Sequence, residues 1–306
     1  MPCRVPTPGD ALAGALYTRR MARLSRFVLA LLLACTSFAE ARALQNVEFA
    51  TAAGERLLLD ASIPDGAGPF PAAIIVHGGA WVTGDKRGTV QPLFQPLSQG
   101  GFAWFSINYR LVRGTDPSSL ISPASIAALT GAVDDVRAAT EFVRTHAAEY
   151  SIDPQRIVLI GESAGAHLVS MAALKPNPSS GVQAVVAFYS PSDLIALIEN
   201  SNRIPPALRQ AVKGSPLEAM LMAGLRDLSP RTWVRKDAPP FLMIHGTADM
   251  LVPLQQSVDM CAALETSGAA CELYRVTGAG HGMQWWNATQ SAYQQRMTAW
   301  LSTTLR

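Results

Sequence analysis

Arg156-Ile-Val-Leu-Ile160 runs straight into Gly161-Glu162-Ser163-Ala164-Gly165. The first stretch is a run of apolar β-formers. The second centres a serine in G-x-S-x-G, and an Ala-rich helical stretch from Ala164 to Leu174 follows it. Together they predict a strand, a sharp turn and a helix, the setting of a nucleophile elbow. Glycines two before and two after Ser163 let strand and helix approach with no Cβ between them. The pentapeptide alone recurs by chance, so the flanking elements give it its force.

Further motifs follow at strand ends. Phe241-Leu-Met-Ile-His245 reads as a buried strand, and Gly246-Thr-Ala-Asp249 is the loop at its end. A helix from about Leu254 to Thr266 and a strand from Glu272 to Val276 come next. The loop Thr277-Gly-Ala-Gly-His281-Gly282 then presents a histidine. The order Ser163, Asp249, His281 is that of a hydrolase triad on such a sheet. Ser163 is the expected nucleophile, His281 its general base, and Asp249 the group that fixes the imidazole tautomer. Asp259 competes with Asp249, but it lies mid-helix with no strand end beneath it.

Upstream, the apolar strand Ala72-Ala-Ile-Ile-Val76 ends in His77-Gly78-Gly79-Ala80-Trp81. Loops of this form supply oxyanion-hole N–H groups, joined by the N–H after the nucleophile. The expected donors are Gly78, Gly79 and Ala164.

These motifs are joined by Gly84-Asp85-Lys86, Asn108-Tyr109-Arg110-Leu111, Asp153-Pro154-x-Arg156-Ile157 and Gly280-His281-Gly282. As a set they resemble the carboxylesterases of the α/β-hydrolase superfamily, of the hormone-sensitive-lipase-like and feruloyl-esterase-like groups, over about residues 55 to 300. The resemblance implies an acyl-enzyme mechanism on short-chain acyl, phenolic or acetyl esters. One position departs from the frequent HGGG form: Ala80 stands where the third glycine would be. The HGGxW form also resembles arylformamidases, which leaves an amide-hydrolase reading open. A non-catalytic binding module on a hydrolase scaffold is a third reading, although such proteins usually lose a triad member.

Eight strands are expected, over Val47–Ala50, Arg56–Ile63, Ala72–Val76, Ala103–Asn108, Arg156–Ile160, Ala184–Tyr189, Phe241–His245 and Glu272–Val276. The central ones are continuously apolar, as parallel strands covered on both faces must be. Helices alternate with them; Ile126, Leu129, Val133, Val136, Thr140 and Val143 mark one face of a long helix that starts at Ser122-Pro123. The fold class is therefore α/β, a mostly parallel, doubly wound eight-stranded sheet. The stretch 192–237 interrupts the alternation with short helical pieces (Leu194–Asn200, Pro206–Lys213, Leu217–Leu225) and reads as a small helical cap insertion.

Of the other candidates, His77 reads as a brace of the oxyanion loop, His245 as a satisfied structural histidine and His167 as helix packing. Glu162 is expected to point outward from the elbow. Trp81, Met283 and Trp285, with Trp286, either line the substrate pocket or pack in the core. No histidine pair has helical zinc spacing, so neither metal nor other cofactor is expected.

The chain has 306 residues, 49% hydrophobic and 16% charged, enough for one large domain. Its formal charge of +2 owes its sign to six arginines among the first 43 residues, against Asp10 and Glu40. No basic patch suggests nucleic acid, and the expected partner is a small ester. Residues 1–43 read as an export region. Met21-Ala-Arg-Leu-Ser-Arg26 is a basic segment, and Phe27-Val-Leu-Ala-Leu-Leu-Leu-Ala34 is an apolar core too short to span a bilayer. Ala41-Arg42-Ala43 is an A-x-A cleavage site, so residues 44–306 form the catalytic domain of a periplasmic or secreted protein. Met21 is a plausible start. Thr18-Arg19-Arg20 resembles a twin-arginine signal, and Leu32-Leu-Ala-Cys35 resembles a lipoprotein site with an anchor at Cys35. Only Cys261 and Cys271 then remain, and an even pair in an exported chain suggests a disulfide.

Overall fold

A computed structural model describes residues 41–113, 122–176, 181–199 and 214–305. The export region up to residue 40 and the piece expected over 206–213 lie outside the described residues. The strands are β1 Arg42–Ala52, β2 Glu55–Ile63, β3 Phe70–Val76, β4 Ala103–Ile107, β5 Ile152–Glu162, β6 Ala184–Phe188, β7 Phe241–Gly246 and β8 Cys271–Val276. All eight expected strands are present. The helices are α1 Phe94–Gln99, α2 Pro123–Thr145, α3 Ala164–Leu174, α4 Leu194–Glu199, α5 Pro216–Asp227, α6 Gln255–Ser267 and α7 Ala292–Thr304.

The strands form one sheet in the order β1-β2-β4-β3-β5-β6-β7-β8. β2 runs antiparallel to β1 and β4, and the other pairings are parallel. β1 begins at Arg42, two residues before the expected mature start, and pairs Arg42 with Ile63.

Strand period explains the apolar runs. Ile74, Leu159, Val185 and Met243 face one core with Val133 and Val136 of α2 and Met260 of α6. Their chain neighbours Ile75, Ile160, Val186 and Leu242 face a second core with Leu97 of α1 and Met297 and Leu301 of α7. A strand covered on both faces has no polar side to write, so alternation vanishes from its sequence.

Helix ends follow local chemistry. Ser122 caps α2 by accepting from Ser125 N, with Pro123 in the first turn. The chain moves outward from β3 to β4, then returns to place β5 on the other side of β3. That reversal opens a crevice at the carboxyl ends of β3 and β5, where ligands bind in sheets of this kind. Between β6 and β7 the described elements are α4, α5 and a 3-10 turn over Pro230–Trp233. No helix among the described residues is long and apolar enough to cross a membrane.

Candidate active site

Ser163 occupies the turn between β5 and α3 with φ 52° and ψ −118°. A non-glycine residue held there costs about 1–3 kcal/mol, which the surroundings must offset. They do so by close packing. A Cβ on Gly165 would lie 2.1 Å from Val76 O, and one on Gly161 would lie 2.4 Å from Gly165 O. Only glycine permits this contact between β3, β5 and α3. Ser163 N donates to Phe188 O at 2.9 Å, fastening the turn to β6. The far end of α3 is capped by Arg235, which donates to Leu174 O, and by Arg137 Nη2, which donates to Lys175 O at 2.9 Å. Cations there complement the helix dipole, whose positive end lies beside Ser163.

The three expected residues meet, although they come from three separate strand ends. Ser163 Oγ lies 2.9 Å from His281 Nε2, and His281 Nδ1 lies 2.7 Å from Asp249 Oδ2. With Nδ1–H donating to the carboxylate, Nε2 is free to accept from the serine hydroxyl. Asp249 Oδ1 accepts from Leu251 N at 2.8 Å and Val252 N at 2.9 Å. Burial acts to raise the Asp249 pKa. Hydrogen bonds from His245, His281 and Val252 N, with the charge of His281, outweigh it and hold the carboxyl well below the ordinary carboxylate range. Tyr189, with its ring centroid 4.6 Å from that of His281, packs beside the imidazole. Trp286 Nε1 donates to Gly280 O at 2.8 Å and steadies the histidine loop.

His245 is buried and satisfied, as expected, but it also flanks the acid. Its Nδ1 lies 2.7 Å from Ser257 Oγ and its Nε2 2.9 Å from Val252 O. The same Nε2 stands 3.4 Å from Asp249 Oδ2.

Two expectations are corrected. Glu162 does not point outward; it is buried, and Oε1 accepts from Gly78 N at 2.6 Å and from the Thr89 hydroxyl. The Gly78 N–H is therefore committed to a carboxylate and is not available to an oxyanion. Among the described residues, no acceptor engages the N–H groups of Gly79, Ala80 or Ala164. Gly79 and Ala164 thus remain candidate donors. Ala80, at φ 52°, adjoins Gly79, and its N–H is likewise unengaged among the described residues.

His77 braces this loop as expected. It is buried, its Nδ1 lies 2.7 Å from Gly78 O, and its ring stacks on Tyr109 at 4.5 Å. Burial lowers its pKa, so it remains neutral. Beneath the loop, buried Lys86 reaches Asn46 Oδ1 at 2.9 Å and Asp60 Oδ1 at 3.4 Å, joining it to β1 and β2.

The expected pocket residues divide. Trp81 is half-buried over the first core, Met283 is buried in the second, and Trp285 is 79% exposed. Met283 takes the core reading. The two cysteines are bridged, with Cα atoms 5.2 Å apart. No metal-ligand cluster occurs among the described residues.

Sequence reading missed Glu162, Tyr189 and the second contact of His245. Tyr189 had one available signal: it follows β6, whose carboxyl end opens beside the elbow.

The geometry has parallels in known proteins. Over 202 residues the chain is 38% identical to the probable carboxylic ester hydrolase LipM of Mycobacterium tuberculosis, covering 62% of this chain and 44% of that protein. The chain spans about half the length of the curated relatives it matches. Among solved structures it is similar to a truncated carbohydrate esterase from gut microbiota, at TM-score 0.68 and 26% identity over 88% of this chain and 98% of that one. It is also similar to Thermogutta terrifontis esterase 2 phosphorylated by paraoxon, at TM-score 0.64 and 25% identity over 87% and 93% of the respective chains. The BD-FAE family matches residues 59–264, more than half of the chain. By its fold, by its serine, histidine and aspartate at three strand ends, and by this match, the chain belongs to the BD-FAE family of α/β-hydrolases.

Proposed function

We propose that this chain hydrolyses carboxylic esters through an acyl-enzyme on Ser163. The observation that carries the reading is the continuous relay from Ser163 Oγ to His281 Nε2 and from His281 Nδ1 to Asp249, at 2.9 and 2.7 Å. Ser163 Oγ attacks the ester carbonyl while His281 Nε2 takes its proton. The carbonyl electrons pass to the oxygen, which the N–H groups of Gly79, Ala80 and Ala164 receive. Collapse expels the alcohol, which takes the proton from His281. Water then enters, gives a proton to the same nitrogen and attacks the acyl carbon, and the acid leaves as Ser163 recovers its hydrogen. Asp249 keeps its charge throughout and stabilises the imidazolium. Each oxyanion donor is worth about 100- to 1000-fold in rate.

Short-chain acyl esters and acetyl or phenolic esters of carbohydrate are the proposed substrates. The similarity to a gut carbohydrate esterase supports this class, as does the exposed ring of Trp285, a stacking surface three residues beyond Gly282. Residues 1–43 are proposed to direct export.

The test compares p-nitrophenyl acetate with N-formylkynurenine and acetylated xylo-oligosaccharide, using the mature chain and Ser163→Ala. Ester turnover that Ser163→Ala abolishes, with fluorophosphonate labelling of Ser163, is the expected result. Preference for N-formylkynurenine would favour the arylformamidase reading. Absence of turnover on every substrate would favour the binding module.

A further inference from the structure

Ala80 and Trp81 are two consecutive L-residues in the left-handed region, at φ 52° and 64°. For a bulky aromatic such a φ is a genuine outlier, and it persists only where neighbours over-determine it. The Trp81 main chain is tied at one point, its carbonyl accepting from Val112 N at 2.8 Å. Its side chain is tied at another: Trp81 Nε1–H donates to His167 Nδ1 at 3.2 Å, with the two rings edge to face.

His167 is fully buried one turn along α3 from Ser163, and its N–H donates to Ser163 O at 3.0 Å. Its Nε2–H donates to Leu228 O at 2.7 Å, at the end of α5. That bond fixes the tautomer. With the proton on Nε2, Nδ1 must carry a lone pair, which is what an indole N–H requires. Burial lowers the His167 pKa to about 4, so the ring keeps that lone pair at neutral pH.

We propose that His167 is a positioning residue: through Trp81 it holds the loop of Gly79 and Ala80 in the strained shape that turns their N–H groups towards the ester oxygen, and through Leu228 it joins that shape to the segment between β6 and β7. The inference rests on the proposed ester hydrolysis at Ser163. It replaces the helix-packing reading of His167.

The two bonds of His167 can be separated chemically. His167→Gln places an N–H near the former Nε2, keeping the donor to Leu228 and losing the acceptor to Trp81. His167→Asn places an oxygen near the former Nδ1, keeping the acceptor and losing the donor. The Gln variant is expected to lower kcat about 10- to 100-fold with little change in KM, the order that a misplaced catalytic group costs. The Asn variant is expected to recover most of that kcat. Trp81→Phe should match His167→Gln, and combining the two should add no further loss. The indole N–H resonance of Trp81, assigned by its absence in Trp81→Phe, should move in the Gln variant and stay in the Asn variant. Equal kcat losses in Gln and Asn that follow their thermal stability would overturn the proposal, as would no loss in either. Turnover that survives Ser163→Ala in the same assay is a separate result: it removes the acyl-enzyme reading at Ser163, and this inference with it.

Discussion

The backbone N–H of Gly78 donates to Glu162 Oε1 at 2.6 Å across 84 residues of sequence. It joins the loop after β3 to the residue that precedes Ser163. The same oxygen accepts from the Thr89 hydroxyl, and the carboxylate faces Tyr189, which packs beside His281. One buried carboxylate therefore organises the His77–Trp81 loop and the elbow together. This also explains why a glycine stands at 78: a Cβ there would lie 2.3 Å from Glu162 Oε1.

Glu162→Ala should leave Gly78 N–H and the Thr89 hydroxyl without an acceptor. Each orphaned donor costs about 1–3 kcal/mol, so a total loss of about 2–6 kcal/mol is expected. Glu162→Gln keeps an oxygen for both donors and should lose clearly less stability and less kcat than Ala. Urea unfolding and steady-state kinetics on the two variants check this. Equal behaviour of Ala and Gln would show that the acceptor oxygen does not matter.

Asp249 carries a pH signature. Its folded pKa lies below the ordinary 3.8, so its charged form is favoured in the folded state. The stability it contributes is complete above that ordinary value and is lost as pH falls towards the lowered one. Asp249→Asn should therefore flatten the acid limb of a plot of unfolding free energy against pH. The same change should lower turnover about 10⁴-fold by favouring the wrong imidazole tautomer. An unaltered acid limb would mean that Asp249 titrates normally in the fold.

The bridge between Cys261 of α6 and Cys271 of β8 closes a separation of 10 residues. A loop of that length contributes about 2–3 kcal/mol. Cys261→Ala with Cys271→Ala should lose that much stability and keep kcat, because the bridge lies at the opposite end of β8 from the loop bearing His281. Dithiothreitol should destabilise the unaltered protein by the same amount and leave the double variant indifferent. Two free thiols in the denatured, unreduced mature chain would exclude the bridge.

Gly165→Ala should destabilise by about 3 kcal/mol or more, since its Cβ meets two backbone oxygens, Val76 O at 2.1 Å and His77 O at 2.5 Å, which cannot swing aside. Gly181→Ala meets nothing within 4 Å and serves as the neutral control. Chemical denaturation of both variants tests whether tight approach, rather than loss of glycine as such, sets the cost.

Local physics made much of this protein legible in its sequence. The eight strands, the long helix at Pro123–Thr145 and the elbow are written in short apolar runs, a capping serine and two spaced glycines. Even the meeting of Ser163, Asp249 and His281 was legible, because parallel strands bring their carboxyl ends to one edge. Boundaries were less so: β1 extends to Arg42–Ala52, where its edge position and polar face leave little apolar signal.

What only the tertiary structure decided is the pairing of buried polar groups. Nothing near Glu162 in sequence says that it turns inward, because its partners Gly78 and Thr89 lie 84 and 73 residues away. His167 looks like helix packing until Trp81 and Leu228, 86 and 61 residues distant, supply its donor and acceptor. Apolar burial is non-directional and can be read from composition along a strand or helix. A buried hydrogen bond needs one particular partner at one distance and angle, and the folded chain alone determines which residue stands there.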